Sequence, residues 1–222
     1  MCGRFAVGNI DEQTWSDWLG VETLDAGEPR WLCAPTTQIL ILREDRMPVR
    51  ARWGLIPQWW SKPLELMKAT TFNARSEEAF GKPFFRDAWA GKGHSGRCLI
   101  PAIGYYEWSG KKGAKTPLFV TTHRNRPGFC MAGLWAETRV SGESLLSATI
   151  LTAAAGAATK HLHPRTPVIL EDSEWEDWLT GQRSSDLMRA PEDDRIDVWE
   201  VGPAVGNVRN DGPELIERAG LL

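Results

Sequence analysis

The residues best suited to chemistry stand at the very start, in Met1-Cys2-Gly3. Initiator methionine is usually trimmed when the second residue is small, and its loss exposes the Cys2 α-amine. An α-amine has a pKa near 8 against about 10.4 for lysine, so roughly a third is neutral at pH 7.5, compared with about 0.1% of lysines. Such an amine adds to an aldehyde to give an imine. The Cys2 thiol lies two carbons away and closes a five-membered thiazolidine on that imine, a product more durable than a Schiff base. No other residue supplies both groups at this spacing. A terminal thiol also suits attack on an amide, and class II glutamine amidotransferases likewise begin Met-Cys-Gly. The rest of the chain has to decide between the two.

Condensation with an aldehyde needs proton transfers, for which Glu and His are suited. Glu107, between Tyr106 and Trp108, and His163, before Pro164, are candidates. Arginine holds phosphate oxygens in a bidentate fork, which draws attention to Arg4, Arg75 and Arg165. Trp is over-used, with twelve against two Tyr. Most should fill the core, but Trp59, Trp60 and Trp108 sit in polar or Gly/Pro-rich surroundings, where an exposed ring can stack on a nucleobase. Gly91-Lys92-Gly93-His94-Ser95-Gly96 fits the spacing of a dinucleotide-binding loop. That loop must follow a strand and open a helix, whereas here the expected order is helix, loop, strand. His161 and His163 could pair on a metal, but no companion ligands are evident. Neither a cofactor nor a metal is expected.

These groups must be positioned by a chain of 222 residues with net charge −3, which is ordinary for one soluble domain. The charge excludes a coat of basic residues, though not a local basic groove. Cys2, Cys33, Cys98 and Cys130 are far apart with no CxxC pair, so a reducing compartment, the cytoplasm, is expected. The opening residues lack the apolar stretch of a secretory signal, and no run of 18 apolar residues predicts a membrane span. Trp15, Trp18 and Leu19 predict a helix over 11–19, stopped by Gly20. Strands are expected at 38–42 and 49–55 around Glu44-Asp45-Arg46, then at 97–108, 118–122, 128–136, 145–152 and 196–201. A helix capped by Ser76 is expected to run to about Ala90, with a basic turn at 111–115. Ser173 and Glu176 read as a capping box opening another helix. Strands outnumber helices without alternating with them, which favours an α+β fold.

One ordered set of motifs ties these readings together. Met1-Cys2-Gly3-Arg4-Phe5 is followed by Trp53-Gly54-Leu55-Ile56-Pro57, Trp59-Trp60, and Phe72-Asn73-Ala74-Arg75-Ser76-Glu77. Then come Tyr106-Glu107-Trp108, Thr152-Ala153-Ala154-Ala155, His163-Pro164-Arg165-Thr166-Pro167, Val205-Gly206-Asn207 and Asn210-Asp211-Gly212-Pro213-Glu214-Leu215-Ile216. The set resembles the SOS-response-associated peptidase (SRAP) domain family over essentially residues 1–222. The resemblance implies a single α+β domain with a mostly antiparallel, barrel-like β core and flanking short helices. It implies a sensor of abasic sites in single-stranded DNA that cross-links covalently to the ring-opened sugar, and a monomer is the simplest reading for a protein that must thread a strand. In that reading Cys2 cross-links and Asn73 hydrogen-bonds the sugar. Glu107 handles protons at the amine and ring, and His163 is an acid/base for the opened sugar. Arg4, Arg75 and Arg165 contact phosphates, while Trp59, Trp60 and Trp108 are the stacking candidates. An imine at C1′ would acidify the C2′ protons and permit lyase activity. Two positions depart from the family: Leu32 stands where Asn is common, and Thr166 where Met is usual. The rival expectations are a thiol hydrolase of amides built on Cys2 and a non-catalytic single-strand-binding module.

Overall fold

Long runs of β-branched and aliphatic residues in the middle of the chain build a closed barrel. The computed structural model describes residues 2–25, 27–111, 113–122 and 126–220. Met1 and Lys112, the tip of the expected basic turn, lie outside them. In chain order the strands are β1 (Phe5–Ala6), β2 (Gln38–Leu42), β3 (Pro48–Trp53), β4 (Asn73–Arg75), β5 (Ser95–Ala102) and β6 (Gly104–Lys111). They continue with β7 (Ala114–Thr122), β8 (Phe129–Val140), β9 (Glu143–Ala154), β10 (Arg165–Pro167), β11 (Ile169–Leu170) and β12 (Ile196–Glu200). The helices are short: α1 (Glu12–Leu19), α2 (Ser76–Ala79), α3 (Arg86–Trp89) and α4 (Trp175–Thr180).

Strands β9, β3, β2, β5 and β8 pair in that order, and β8 returns to β9, closing five strands into a barrel. The β8–β9 hairpin turns through Ser141 (φ 52°) and Gly142 (φ 89°). Two consecutive positive φ values match the right-handed twist of the flanking strands. Most pairings are antiparallel, but β3 and β4 both run parallel to β9. A second sheet, β1-β6-β7-β12, packs alongside. Trp53, Ile41, Leu99, Met131, Leu134, Ile150 and Leu151 are fully buried in the main core. A smaller core holds Ala6, Leu32, Tyr106, Phe119, Val205 and Leu215. The α+β class and the barrel-like core match the expectation.

Three local expectations need correcting. The strand expected at 97–108 is two strands in different sheets, with Ile103 at the crossing, where its N–H donates to Ala6 O at 2.8 Å. Just past the crossing, Gly104 lets Phe119 lie directly on the backbone, because a Cβ there would fall 2.0 Å from Phe119 Cζ. The helix expected from Ser76 to Ala90 is broken into α2 and α3. Pro83 between them offers no N–H to the ladder, and Ser76 is the first helical residue, with no side-chain cap bond at Arg75. The capping box lies at Glu171 and Glu174, two residues earlier than Ser173 and Glu176, and its short 3₁₀ turn leads into α4. By contrast, α1 is capped by Asp11 accepting from Thr14 N–H and ended by Gly20 at φ 67°.

Candidate functional site

Strand β9 organises the site, because two sequence motifs pair on it. Asn73 lies opposite Ile150 through β4, and Arg165 lies opposite Ala154 through β10. The N-terminal strand comes from the other side, with β1 pairing Phe5 to Tyr105 on β6. Glu107 lies two residues beyond Tyr105, so both side chains leave β6 on the same face.

Cys2 is completely buried and Asn73 is only 7% exposed. Asn73 Nδ2 donates to the Cys2 carbonyl at 2.6 Å, across 71 residues of chain. This bond holds the terminus in place. Asn73 Oδ1 is buried and has no hydrogen-bond partner among the described residues. The Cys2 thiol makes a long contact to Arg4 O at 3.5 Å. Burial first, and the nearby Glu107 carboxylate second, push the thiol well above its ordinary pKa. It is therefore protonated at neutral pH and needs a base to become a nucleophile. Glu107, itself buried, is close enough to affect its charge.

Tyr105 was not singled out by sequence. It is buried, its hydroxyl is 3.1 Å from Thr166 Oγ1, and burial drives its pKa up, with Cys2 and Glu107 adding to the effect. Thr166 therefore uses its departure from the usual Met to form a polar pair beneath the site. His163 precedes the first residue of β10 by two positions. Its Nδ1 accepts the Arg165 N–H at 3.0 Å, which orients the ring. Cys2, Asn73 and Glu107 thus form one cluster, and His163 lies three residues before Thr166, which carries the contact to Tyr105.

The arginines are more engaged than their sequence reading suggests. Arg165 forms a bidentate pair with Glu77, Nη1 to Oε1 at 2.6 Å and Nη2 to Oε2 at 2.7 Å, and it also donates to Thr152 O. Arg165 holds the Glu77 carboxyl below the usual range. Arg4 donates to the carbonyls of Val205 (2.6 Å) and Gly206 (3.0 Å) and lies 4.9 Å over the Trp108 ring. Arg75 is exposed and pairs with Glu78 at 3.3 Å. Trp59 is 48% exposed, and its Nε1 donates to Pro83 O at 3.2 Å. Trp60 lies 6.0 Å from it and is half-buried, with Nε1 lacking a partner among the described residues. Leu32, where a polar residue is common, is a buried member of the second core. The nearby Asp211 is also used, accepting from Trp31 N–H (2.6 Å) and Leu32 N–H (3.0 Å) and pairing with Arg30 at 2.9 Å. The Asp211 motif was visible in the sequence, but its partners 179 and 180 residues away were not.

Comparison with known proteins places the chain among relatives of the same fold. The abasic site processing protein YoqW of Bacillus subtilis is 31% identical over 229 residues, covering 98% of this chain and 99% of that protein. The abasic site processing protein YedK of Escherichia coli is 30% identical over 235 residues, covering 98% and 99%. A solved structure from Bordetella bronchiseptica superposes with a TM-score of 0.79 at 29% identity, covering 90% of this chain and all of that one. One from Bacteroides thetaiotaomicron shares the fold, with a TM-score of 0.76 at 24% identity over 86% and 85% of the two chains. The sequence profile of the SOS response associated peptidase (SRAP) family matches residues 1–208, and this chain belongs to that family.

Proposed function

We propose that this protein captures abasic sites in single-stranded DNA as a thiazolidine on Cys2 once Met1 is removed. The observation that carries the reading is the buried Cys2, held by Asn73 at its carbonyl and within electrostatic reach of the buried Glu107 carboxylate. The relatives named as abasic site processing proteins support the choice of substrate. In the first step the Cys2 amine attacks the C1′ aldehyde of the ring-opened deoxyribose. The carbinolamine loses water to give an imine. Cys2 Sγ then adds to the imine carbon while its proton passes to the nitrogen, for a net loss of one water. Glu107 accepts the thiol proton and returns it to the ring nitrogen. Asn73 Oδ1 is left to accept a sugar hydroxyl, and His163 exchanges protons with the opened sugar. The same imine makes a C2′ proton acidic and opens a lyase branch. In this reading residues 1–222 act as one domain and as a monomer in the cytoplasm.

The DNA-binding residues divide by how they are held. Arg75 is the arginine most open to a phosphate. Arg4 and Arg165 are anchored by this chain's own groups, so they lend charge first and contact phosphate only by exchanging partners. Trp59, Trp60 and Trp108 offer stacking faces. An unstacked lesion exposes its sugar to Cys2, which favours single strands over duplex.

The test mixes protein lacking Met1 with single-stranded DNA carrying one abasic site and runs a denaturing gel. A heat-stable shifted band, absent with intact DNA and with Cys2→Ala, is the expected result. No band from protein with a confirmed free Cys2 amine would overturn the reading and favour a thiol hydrolase.

A further inference from the structure

We propose that the cavity next to Asn73 is a subsite for the nucleobase that flanks the abasic position on the same strand. This rests on the reading that Cys2 captures an abasic site. The cavity is about 230 Å³ and lies between residues 69–75 and residues 82–85, with Asn73, Arg75, Lys82, Phe84 and Phe85 in its lining. That volume is below the roughly 300 Å³ at which drug-sized ligand sites begin, so it suits one planar base and not a whole nucleotide.

The lining has the chemistry of a base and its phosphate. Phe84 and Phe85 present half-buried rings 6.4 Å apart and inclined by 52°. Trp59 buttresses Phe84 edge-on at 5.3 Å, and its bond to Pro83 O fixes that contact. Arg75 and Lys82 stand at the rim with exposed side chains, sharing Glu78 at 3.3 and 3.5 Å. Two cations against one carboxylate leave a net positive charge, which complements a phosphate. Asn73 belongs both to this cavity and to the Cys2 cluster. A strand whose abasic sugar meets Cys2 therefore brings its neighbouring base to Phe84. Stacking of this kind tolerates any base, because every base has a π-face.

The test uses protein lacking Met1 and three oligonucleotides, each with one reactive abasic site. One has ordinary neighbours. The other two carry an unreactive baseless tetrahydrofuran residue on the 5′ or the 3′ side. Cross-linking rates are compared at subsaturating protein. The wild type is expected to slow by about fivefold or more when the base on one side is removed, and to be unaffected on the other. Phe84→Leu, which keeps an apolar side chain but no ring, is expected to slow on ordinary DNA by a similar factor. For this variant, removing the same neighbour is expected to have no further effect. Phe84→Tyr should retain the dependence, and thermal unfolding should show all three proteins folded. Normal cross-linking with no dependence on either neighbour overturns the subsite alone, as do effects of Phe84→Leu and base removal that multiply independently. No cross-link on any oligonucleotide overturns the capture reading, and the subsite with it.

Discussion

Replacing Asn73 by Ala removes a side-chain hydrogen bond that ties the Cys2 carbonyl to the barrel. That bond is 2.6 Å long and both residues are buried, so water cannot take its place without reorganisation. A net hydrogen bond contributes about 1 kcal/mol, and leaving the carbonyl unsatisfied costs about 1–3 kcal/mol. In a protein of this size each kcal/mol moves the midpoint by about 2–4 °C, so thermal unfolding is expected to fall by roughly 2–12 °C. The effect on chemistry should be larger. A misplacement of about 1 Å can cost on the order of 100-fold in rate, and here the displaced group carries both amine and thiol. Single-turnover cross-linking at saturating DNA should therefore slow by about 100-fold while the fold survives. Asn73→Asp, which sets an acceptor against the carbonyl, should be at least as damaging. A variant that unfolds at a lower temperature but cross-links at the wild-type rate would refute a positioning role for Asn73. An Asn73→Ala protein as stable as wild type would refute the energetic argument as well.

Other perturbations test the scaffold. Gly104→Ala drives a Cβ to 2.0 Å from Phe119 Cζ, and overpacking of this kind typically costs about 1–3 kcal/mol; an unchanged denaturation midpoint would contradict it. Thr166→Val leaves the buried Tyr105 hydroxyl without its 3.1 Å partner, a loss of about 1–3 kcal/mol. Adding Tyr105→Phe should restore most of that, and strict additivity of the two changes would count against the pair. Glu77 has its carboxyl held low by Arg165, so the pair stabilises the fold above the unfolded Glu value near 4.3. That stability is lost as pH falls through the lower folded value. Glu77 is half exposed, so solvent screening limits the pair to about 1 kcal/mol. The stability gap between wild type and Glu77→Gln, followed by urea unfolding, should be present at pH 7 and shrink on acidification; a gap that widens would contradict the assignment.

What could be read in the sequence was local or motif-based. Asp11 and Gly20 bracket α1 with ordinary capping chemistry, and the apolar run of β2 and the alternation of Val49, Ala51 and Trp53 with Arg50 and Arg52 in β3 need no tertiary information. The terminal amine and thiol of Cys2 follow from covalent structure. The break at Ile103 is only faintly marked in the sequence, by Pro101 and Gly104 inside the strand-like run 97–108. Just past it Phe119 lies on Gly104, a contact made across the second sheet that no local pattern predicts. Arg4 and Arg165 looked like free phosphate ligands for the same reason. Their partners, Val205 and Glu77, lie 201 and 88 residues away, and no spacing rule reaches that far. Thr166 was visible as a departure from the family, yet its meaning required seeing Tyr105 beside it.

The central claim, that Cys2 joins DNA through both its amine and its thiol, is tested most directly by the intact mass of the cross-linked product with and without borohydride. The account predicts a wild-type adduct equal to protein lacking Met1 plus the abasic oligonucleotide minus one water, with a mass that borohydride does not change. It also predicts that Cys2→Ser yields an adduct that survives only after borohydride adds two hydrogens to its imine. A wild-type adduct that retains Met1, or one that borohydride reduces as readily as the Cys2→Ser adduct, would contradict the thiazolidine.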